Sequence, residues 1–290
     1  VVRIRAAGVN PVETYLREGR HSRAVEFPWT PGSDGAGEVE SIGAGVEGLE
    51  PGERVYTSGS RSGTYAEKAL CAAWQLHPLP ERVTFAQGAA VHVPYATAWR
   101  ALHHRARAAA GETLLVHGAT GGVGIAAVQI ARALGMKVIG TGGTEKGRAL
   151  AKAEGADHVL DHGKPGYLDA LPGLIGGRGP DVILEMLADR NLAADLQVAA
   201  PFGRIVVVGS RGSIEVEPRM AMTKDLDLLG MSLFNLTREE LAEIHGEIRK
   251  GLEAGILRPV VGREFPLAEA PRAHEAVLAA GALGKIVLLP

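Results

Sequence analysis

From residue 111 onward, short apolar runs alternate with segments of helical period. Strands are expected at 113–117, 137–141, 157–160, 181–186 and 204–208, with helices at 122–134, 145–154, 165–175 and 192–200. Apolar strands separated by helices predict a mostly parallel sheet covered on both faces. Residues 227–231 offer a sixth strand. Residues 237–254 form a helix that Thr237 caps, with Glu240 three residues on, and Gly255 ends it. Before residue 84 the pattern differs. A loosely alternating run at 1–6, a turn and short helix at 10–19, and strands at 34–42, after 51–55 and at 63–69 are punctuated by glycines. That pattern predicts a β-rich domain. Residues 84–105 are apolar and helical, broken at Pro94. The segment 259–265 returns to the first domain, followed by a helix at 267–280 and a strand at 285–289. The expected division is 1–90 and 259–290 for the β-rich domain and 91–258 for the α/β domain. The chain opens on residues that read as the inside of a strand, so part of the first domain is expected to be missing before Val1.

Composition narrows the function classes. The 290 residues are 46% hydrophobic with a formal charge of -2, enough to bury a large core without a disorder signature. The 31 basic residues nearly balance 33 acidic ones, which gives no bulk support to a nucleic-acid surface. No run has the length and apolarity of a membrane span, and no targeting segment is visible, so a cytoplasmic protein is expected. Cys71 is the only cysteine. It excludes an internal disulfide and a cysteine-built zinc site.

The stretch 113–134, TLLVHGATGGVGIAAVQIARAL, carries the clearest chemistry. A strand ends in a glycine-rich turn and a helix begins at once, as at the start of a nucleotide-binding βαβ unit. The motif is A-x-G-x-x-G, with Ala119 where glycine is usual. Alanine is acceptable there if its φ stays negative. Gly121 allows close approach of a pyrophosphate, Gly124 allows the helix to pack on the sheet, and free N–H groups at the helix start attract the anion. No Gly-Lys-Ser/Thr follows, which excludes an ATP phosphate loop. An NAD-selective site places an acid about 20 residues past the glycines. Here the strand ends Thr141-Gly142-Gly143, and Lys146 and Arg148 follow. A 2′-phosphate is tolerated there and a cation stands near it, so the cofactor expected is NADPH. Glu145 is the opposing residue, and capping a helix start accounts for it equally.

Zinc chemistry finds no support. His92, His103, His104 and His117 are scattered, no HExxH occurs, and they read as surface, packing or hydrogen-bonding residues. No GxSxG is present. Hydride transfer without a metal remains, and an easily reduced acceptor such as a quinone needs little acid catalysis.

The segments AAGVNPVETYLREG, WTPGSDGAGEVESIG, VPYATAWRAL, LLVHGATGGVG, DVILEMLA and VVVGSRGSIEV are jointly specific. Through essentially the whole chain they resemble zeta-crystallin and the zinc-independent quinone oxidoreductases of the medium-chain dehydrogenase/reductase superfamily. The resemblance implies a GroES-like β-rich catalytic domain and a Rossmann domain with the active site between them. Zinc-dependent relatives carry a ligand cysteine near the position of Asn10 and GHE where this chain has Gly32-Ser33-Asp34. By the resemblance, Asn10 and Tyr15 line the nicotinamide and substrate cleft. Thr120, Gly121, Gly122 and Val123 form the pyrophosphate loop, and Gly143 and Lys146 the adenosine-phosphate end. His162 and Asn191 are further cofactor contacts, as are Val208, Gly209, Ser210 and Arg211. Met231, Ser232 and Leu233 contact the nicotinamide through backbone. The activity implied is transfer of a hydride or electrons from NADPH to quinones, above all ortho-quinones, by a homodimer or homotetramer. The alternatives are an NADPH-dependent enone or carbonyl reductase, or a crystallin-like or RNA-binding protein that retains NADPH.

Overall fold

The apolar runs become thirteen strands: β1 (Val2–Val9), β2 (Asp34–Val39), β3 (Arg54–Ser58), β4 (Lys68–Ala69), β5 (Leu76–Pro78), β6 (Thr113–Val116), β7 (Lys137–Gly142), β8 (His158–Asp161), β9 (Val182–Glu185), β10 (Arg204–Val207), β11 (Asp227–Gly230), β12 (Val261–Pro266) and β13 (Lys285–Leu289). The longest α-helices are α1 (Pro11–Arg17), α2 (Gly122–Ala133), α3 (Glu145–Ala153), α4 (Ala188–Val198), α5 (Arg238–Glu253) and α6 (Ala270–Leu278). The computed structural model describes every residue from Val1 to Pro290. They divide into two units, Val1–Ala96 with Thr237–Pro290, and Thr97–Leu236.

The second unit is a parallel six-stranded sheet in the order β11-β10-β9-β6-β7-β8. The chain winds outward from β6 through β7 to β8, then returns to β9 beside β6 and winds the other way. Ligands of such sheets bind where the winding reverses, beyond the carboxyl ends of the strands. Here that point lies between β6 and β9. Leu115, Ile139, Ile183 and Ile205 form one apolar face of the sheet, packed by Leu168, Leu171, Leu192 and Leu196. These strands are near-continuously apolar because helices cover both faces.

In the first unit, the larger sheet runs β12-β13-β1-β2-β3-β5, with β4 also on β1. Its core gathers Val2, Ile4, Val9, Val39, Val55, Phe265 and Leu288. The expected β-rich domain is present in the first unit, and its sheet takes up the chain from Val2. β1 pairs with β2 along its length and with β13 and β4 beside it. A strand paired on both sides is what makes the opening residues read as an interior. The strand expected at 63–69 shrinks to Lys68–Ala69, because Gly63 adopts φ +85 and any side chain there would meet the Thr30 carbonyl oxygen at 2.1 Å. α5 starts as expected: Glu240 N donates to Thr237 Oγ1 at 3.2 Å and Thr237 N to Glu240 Oε2 at 2.9 Å. It belongs to the first unit, and its Ile244, Ile248 and Leu252 are fully buried.

Candidate functional site

In the parallel-sheet unit the expected cofactor residues all stand on the loops, or on the first helical turns, that follow the carboxyl ends of strands. The turn after β6 takes its left-handed residue at Gly118, φ +62, and Ala119 keeps a negative φ. Alanine therefore costs nothing at the first motif position. Its methyl is accommodated because Gly140 on β7 has none: a Cβ there would lie 2.7 Å from the Ala119 Cβ. A Cβ at Gly124 would lie 2.3 Å from the Gly118 carbonyl oxygen, so α2 meets the turn at backbone distance. Gly121 caps α2 without a side-chain hydrogen bond. The first-turn N–H groups of Gly122, Val123 and Gly124 therefore have no partner within the helix. Thr120 is buried, with its methyl packed where Gly142 and Gly147 leave room, while Gly121, Gly122 and Val123 are half-exposed.

At the ends of β7 and β8, Gly143 and His162 come together. A Cβ on Gly143 would meet His162 Nε2 at 2.7 Å, and His162 Nδ1 lies 3.3 Å from Thr141 Oγ1. Burial pushes the His162 imidazole below its ordinary pKa, with nearby His117 acting the same way. Arg148 is engaged by Asp161 at 3.1 Å and by the Gly142 carbonyl at 3.3 Å. Lys146 is exposed on the first turn of α3.

Glu185, at the end of β9, gathers three more of the expected residues. Its carboxyl accepts from Asn191 Nδ2 at 3.1 Å, and its carbonyl from Val208 N at 2.8 Å and Gly209 N at 3.2 Å. The loop continues with Ser210, whose hydroxyl donates to Gly212 O at 3.0 Å, and Arg211, whose N–H donates to Asp189 Oδ1 at 2.7 Å. That N–H, before the neighbouring charges, holds the Asp189 carboxyl below its usual range. After β11, Met231 N donates to Val207 O at 3.1 Å, Arg100 donates to the Ser232 carbonyl, and Leu233 starts a single 3-10 turn.

Asn10 and Tyr15 belong to the β-rich unit. They stand at the cap and within α1. Tyr15 is half-buried beneath the Arg20 guanidinium, 5.7 Å from its ring centroid. Asn10 is 3% exposed and its amide is fully engaged. Nδ2 donates to Asp34 Oδ2 at 3.0 Å and Glu13 Oε1 at 3.3 Å, and Oδ1 accepts from Lys285. Lys285 Nζ also donates to Asp34 Oδ2 at 2.6 Å. Glu13 further accepts from Asn10 N, Ser33 N and Tyr65 OH, at 2.8, 2.9 and 2.7 Å. Burial raises its pKa against the opposing pull of Lys285. An ammonium thus occupies the neighbourhood in which zinc-dependent relatives are expected to place metal ligands.

Sequence reasoning missed Lys285, Glu13 and Tyr65 here, and Glu185 and Asp195 in the other unit. A buried lysine opening a strand and a glutamate ending an all-apolar run were the available signals. His117, Glu185 and Asp195 each bring an atom within 4.8 Å of the others. That set contains no cysteine and lies wholly within the parallel-sheet unit.

A doubly wound parallel sheet with a glycine turn at its reversal point, in a chain whose other unit is β-rich and has no zinc-type ligand set, defines a two-domain dehydrogenase/reductase. Residues 122–249 match the zinc-binding dehydrogenase family and residues 1–81 the alcohol dehydrogenase GroES-like domain. Among curated relatives, the quinone oxidoreductase of Rattus norvegicus is 49% identical over 100% of this chain and 88% of its own length. Two solved structures show the shared architecture. An NAD-dependent alcohol dehydrogenase has TM-score 0.91 at 29% identity, covering 100% of this chain and 91% of its own. The Escherichia coli quinone oxidoreductase complexed with NADPH has TM-score 0.87 at 29% identity, covering 100% and 90%. The chain belongs to the quinone oxidoreductase family of zeta-crystallin-like medium-chain dehydrogenases/reductases.

Proposed function

We propose that this chain reduces quinones with NADPH, without a metal, and that ortho-quinones are its preferred acceptors. One observation carries the cofactor half of this reading: the glycine turn at the reversal point of the sheet, with no acid at the end of β7 and the exposed Lys146 one helical turn on. Bound NADPH supplies the hydride or the electrons. Thr120 to Val123 hold the pyrophosphate through the start of α2. Gly143 leaves room at the adenosine end, where Lys146 pairs with the 2′-phosphate and His162 lies alongside. Asn191, Val208 to Arg211, and the backbone of Met231 to Leu233 complete the cofactor contacts. Asn10 and Tyr15 line the acceptor side. Since the Asn10 amide is fully engaged with its neighbours, its role is to shape that wall, and the reduced quinone oxygen takes its proton from water.

The name borne by the rat relative supports the acceptor, and the NADPH of the bacterial structure supports the cofactor. We further propose a homodimer or homotetramer formed through the free edge of β11, and a cytoplasmic location, which the sole, half-buried Cys71 suits. No helix is long and apolar enough to cross a membrane. The test follows NADPH and NADH consumption by the purified protein with an ortho-quinone, a para-quinone and an enone. Faster turnover of the ortho-quinone with NADPH is expected. Tight NADPH binding with no quinone turnover, or turnover of the enone alone, overturns the reading.

A further inference from the structure

Three buried ionisable side chains adjoin the glycine turn and have no part in delivering the hydride. His117, the residue before Gly118, is 2% exposed; Glu185 and Asp195 are fully buried. His117 Nε2 lies 2.8 Å from Asp195 Oδ1 and 3.6 Å from Glu185 Oε2. Glu185 Oε1 accepts from Leu187 N and Asn191 Nδ2. The remaining oxygens, Glu185 Oε2 and Asp195 Oδ2, have no protein donor, and the three side chains each bring an atom within 4.8 Å of the others.

Two ionised carboxylates facing each other in a dry site repel unless a cation sits between them. No lysine or arginine acts on either carboxyl, and the basic group that touches both is His117. From the β6 end comes His117, which burial holds below its ordinary pKa. From the segment after β8 come Tyr167, whose hydroxyl is 3.5 Å from His117 Nδ1 and which burial pushes up to about 12, and His162, which burial pushes down. α4 contributes only Asp195. A proton on one of the two unpartnered oxygens, donated to the other, satisfies both.

We propose that Glu185 and Asp195 share one proton and that this pair positions the dinucleotide site, anchoring Asn191 and the backbone at Leu187 on one side and His117, at the head of the glycine turn, on the other. The proposal rests on the assignment of Asn191 and the turn to the cofactor. Burial raises each carboxyl to about 7. Between the unfolded carboxyl range, near 4, and about 7, the folded chain holds a proton that the unfolded chain has lost. Stability from this pair therefore falls as pH rises through that window and is flat above it. Loss of the proton frees the two carboxylates to repel and loosens what Glu185 holds.

The test compares wild type, Glu185→Gln and Asn191→Ala. Glutamine keeps the oxygen that accepts from Asn191 and places an N–H where the shared proton sits. NADPH affinity is measured by fluorescence titration at pH 6 and pH 9, and the thermal midpoint at pH 5 and pH 8. Glu185→Gln is expected to bind NADPH within about twofold of wild type at pH 6. Wild type weakens at least about fivefold more than Glu185→Gln by pH 9, and its midpoint falls further between pH 5 and pH 8. Taking differences between variants cancels titration of the NADPH 2′-phosphate and of other groups. Parallel profiles for the two proteins, or a folded Glu185→Gln that binds more than about tenfold weaker at pH 6, overturn the proposal. If Glu185→Gln does not fold, Asp195→Asn carries the same test with the same outcomes. Unchanged NADPH binding by Asn191→Ala overturns the positioning claim by removing the cofactor assignment, while the thermal midpoints still read the shared proton on its own.

Discussion

The Lys285 ammonium donates to the Asp34 carboxylate at 2.6 Å, with side chains 5% and 0% exposed. β1 and β13 are neighbours in the sheet and Gly8 has no side chain; a Cβ there would lie 2.8 Å from both Lys285 Cε and Asp34 Cβ. Asp34 also accepts from Val93 N at 2.8 Å. Removing one member of a buried pair strands the other charge, which costs about 3–5 kcal/mol. Lys285→Met is therefore expected to lower stability by that amount in urea unfolding. Adding Asp34→Asn, which keeps an acceptor for Val93 and removes the charge, recovers part of the loss. A single variant as stable as wild type would show that the pair is not held in the folded chain.

Lys146 is the cation assigned to the 2′-phosphate, because Arg148 is already engaged by Asp161 and the Gly142 carbonyl. One charge-assisted contact to phosphate is worth about 1.5–3 kcal/mol at most, less at an exposed position. Lys146→Ala is expected to raise KM for NADPH about tenfold and leave KM for NADH within twofold. Equal changes for both cofactors would move the phosphate contact elsewhere.

The parallel sheet was legible because its strands are buried on both faces and its helices keep an apolar stripe, so period and punctuation agree. The glycine turn was legible for the same reason: Gly118, Gly121 and Gly124 answer to backbone geometry that sequence spacing encodes. Ala119 fits only because Gly140, on another strand, makes room, and that compensation spans 21 positions. The polar clusters were harder to see. Asn10, Asp34 and Lys285 meet through pairing of β1 with β2 and β13, and Glu185 meets Asp195 across a strand and a helix. Each residue alone has an ordinary reading as cap, turn or strand end. Strand 63–69 failed because a left-handed glycine and a close carbonyl at Thr30 break its alternation.

β11 is the outer strand of the parallel sheet, and Leu228 on it is 52% exposed. An edge with unpaired backbone groups and an exposed leucine is a template for a second copy. Leu228→Lys is expected to shift the protein toward monomer in sedimentation at micromolar concentration, with NADPH affinity unchanged. Wild type sedimenting as a monomer would remove the premise.

The β-rich unit holds histidines whose protonation burial opposes. His77 and His245 stack with centroids 3.9 Å apart, His245 Nδ1 lies 2.9 Å from Tyr56 OH, and its Nε2 lies 3.1 Å from His92 Nδ1. Burial pushes His77 down to about 3 and His245 well below its ordinary value, with the neighbouring histidines adding to both shifts. A histidine whose pKa is lower folded than unfolded binds its proton preferentially in the unfolded chain. Stability from His77 is therefore full above about 6.5 and is lost as pH falls from there toward about 3, by up to about 1.4 kcal/mol per pH unit. His77→Gln can still bond to Ser58 Oγ, which lies 2.9 Å from His77 Nε2, but cannot titrate. Urea unfolding of wild type and His77→Gln at pH 7 and pH 4.5 is the check. The wild type is expected to lose more stability on acidification than the variant, while losses from carboxylates elsewhere cancel in the comparison. If the two lose the same amount, His77 is not carried neutral into the fold, and acid sensitivity must be sought at other groups.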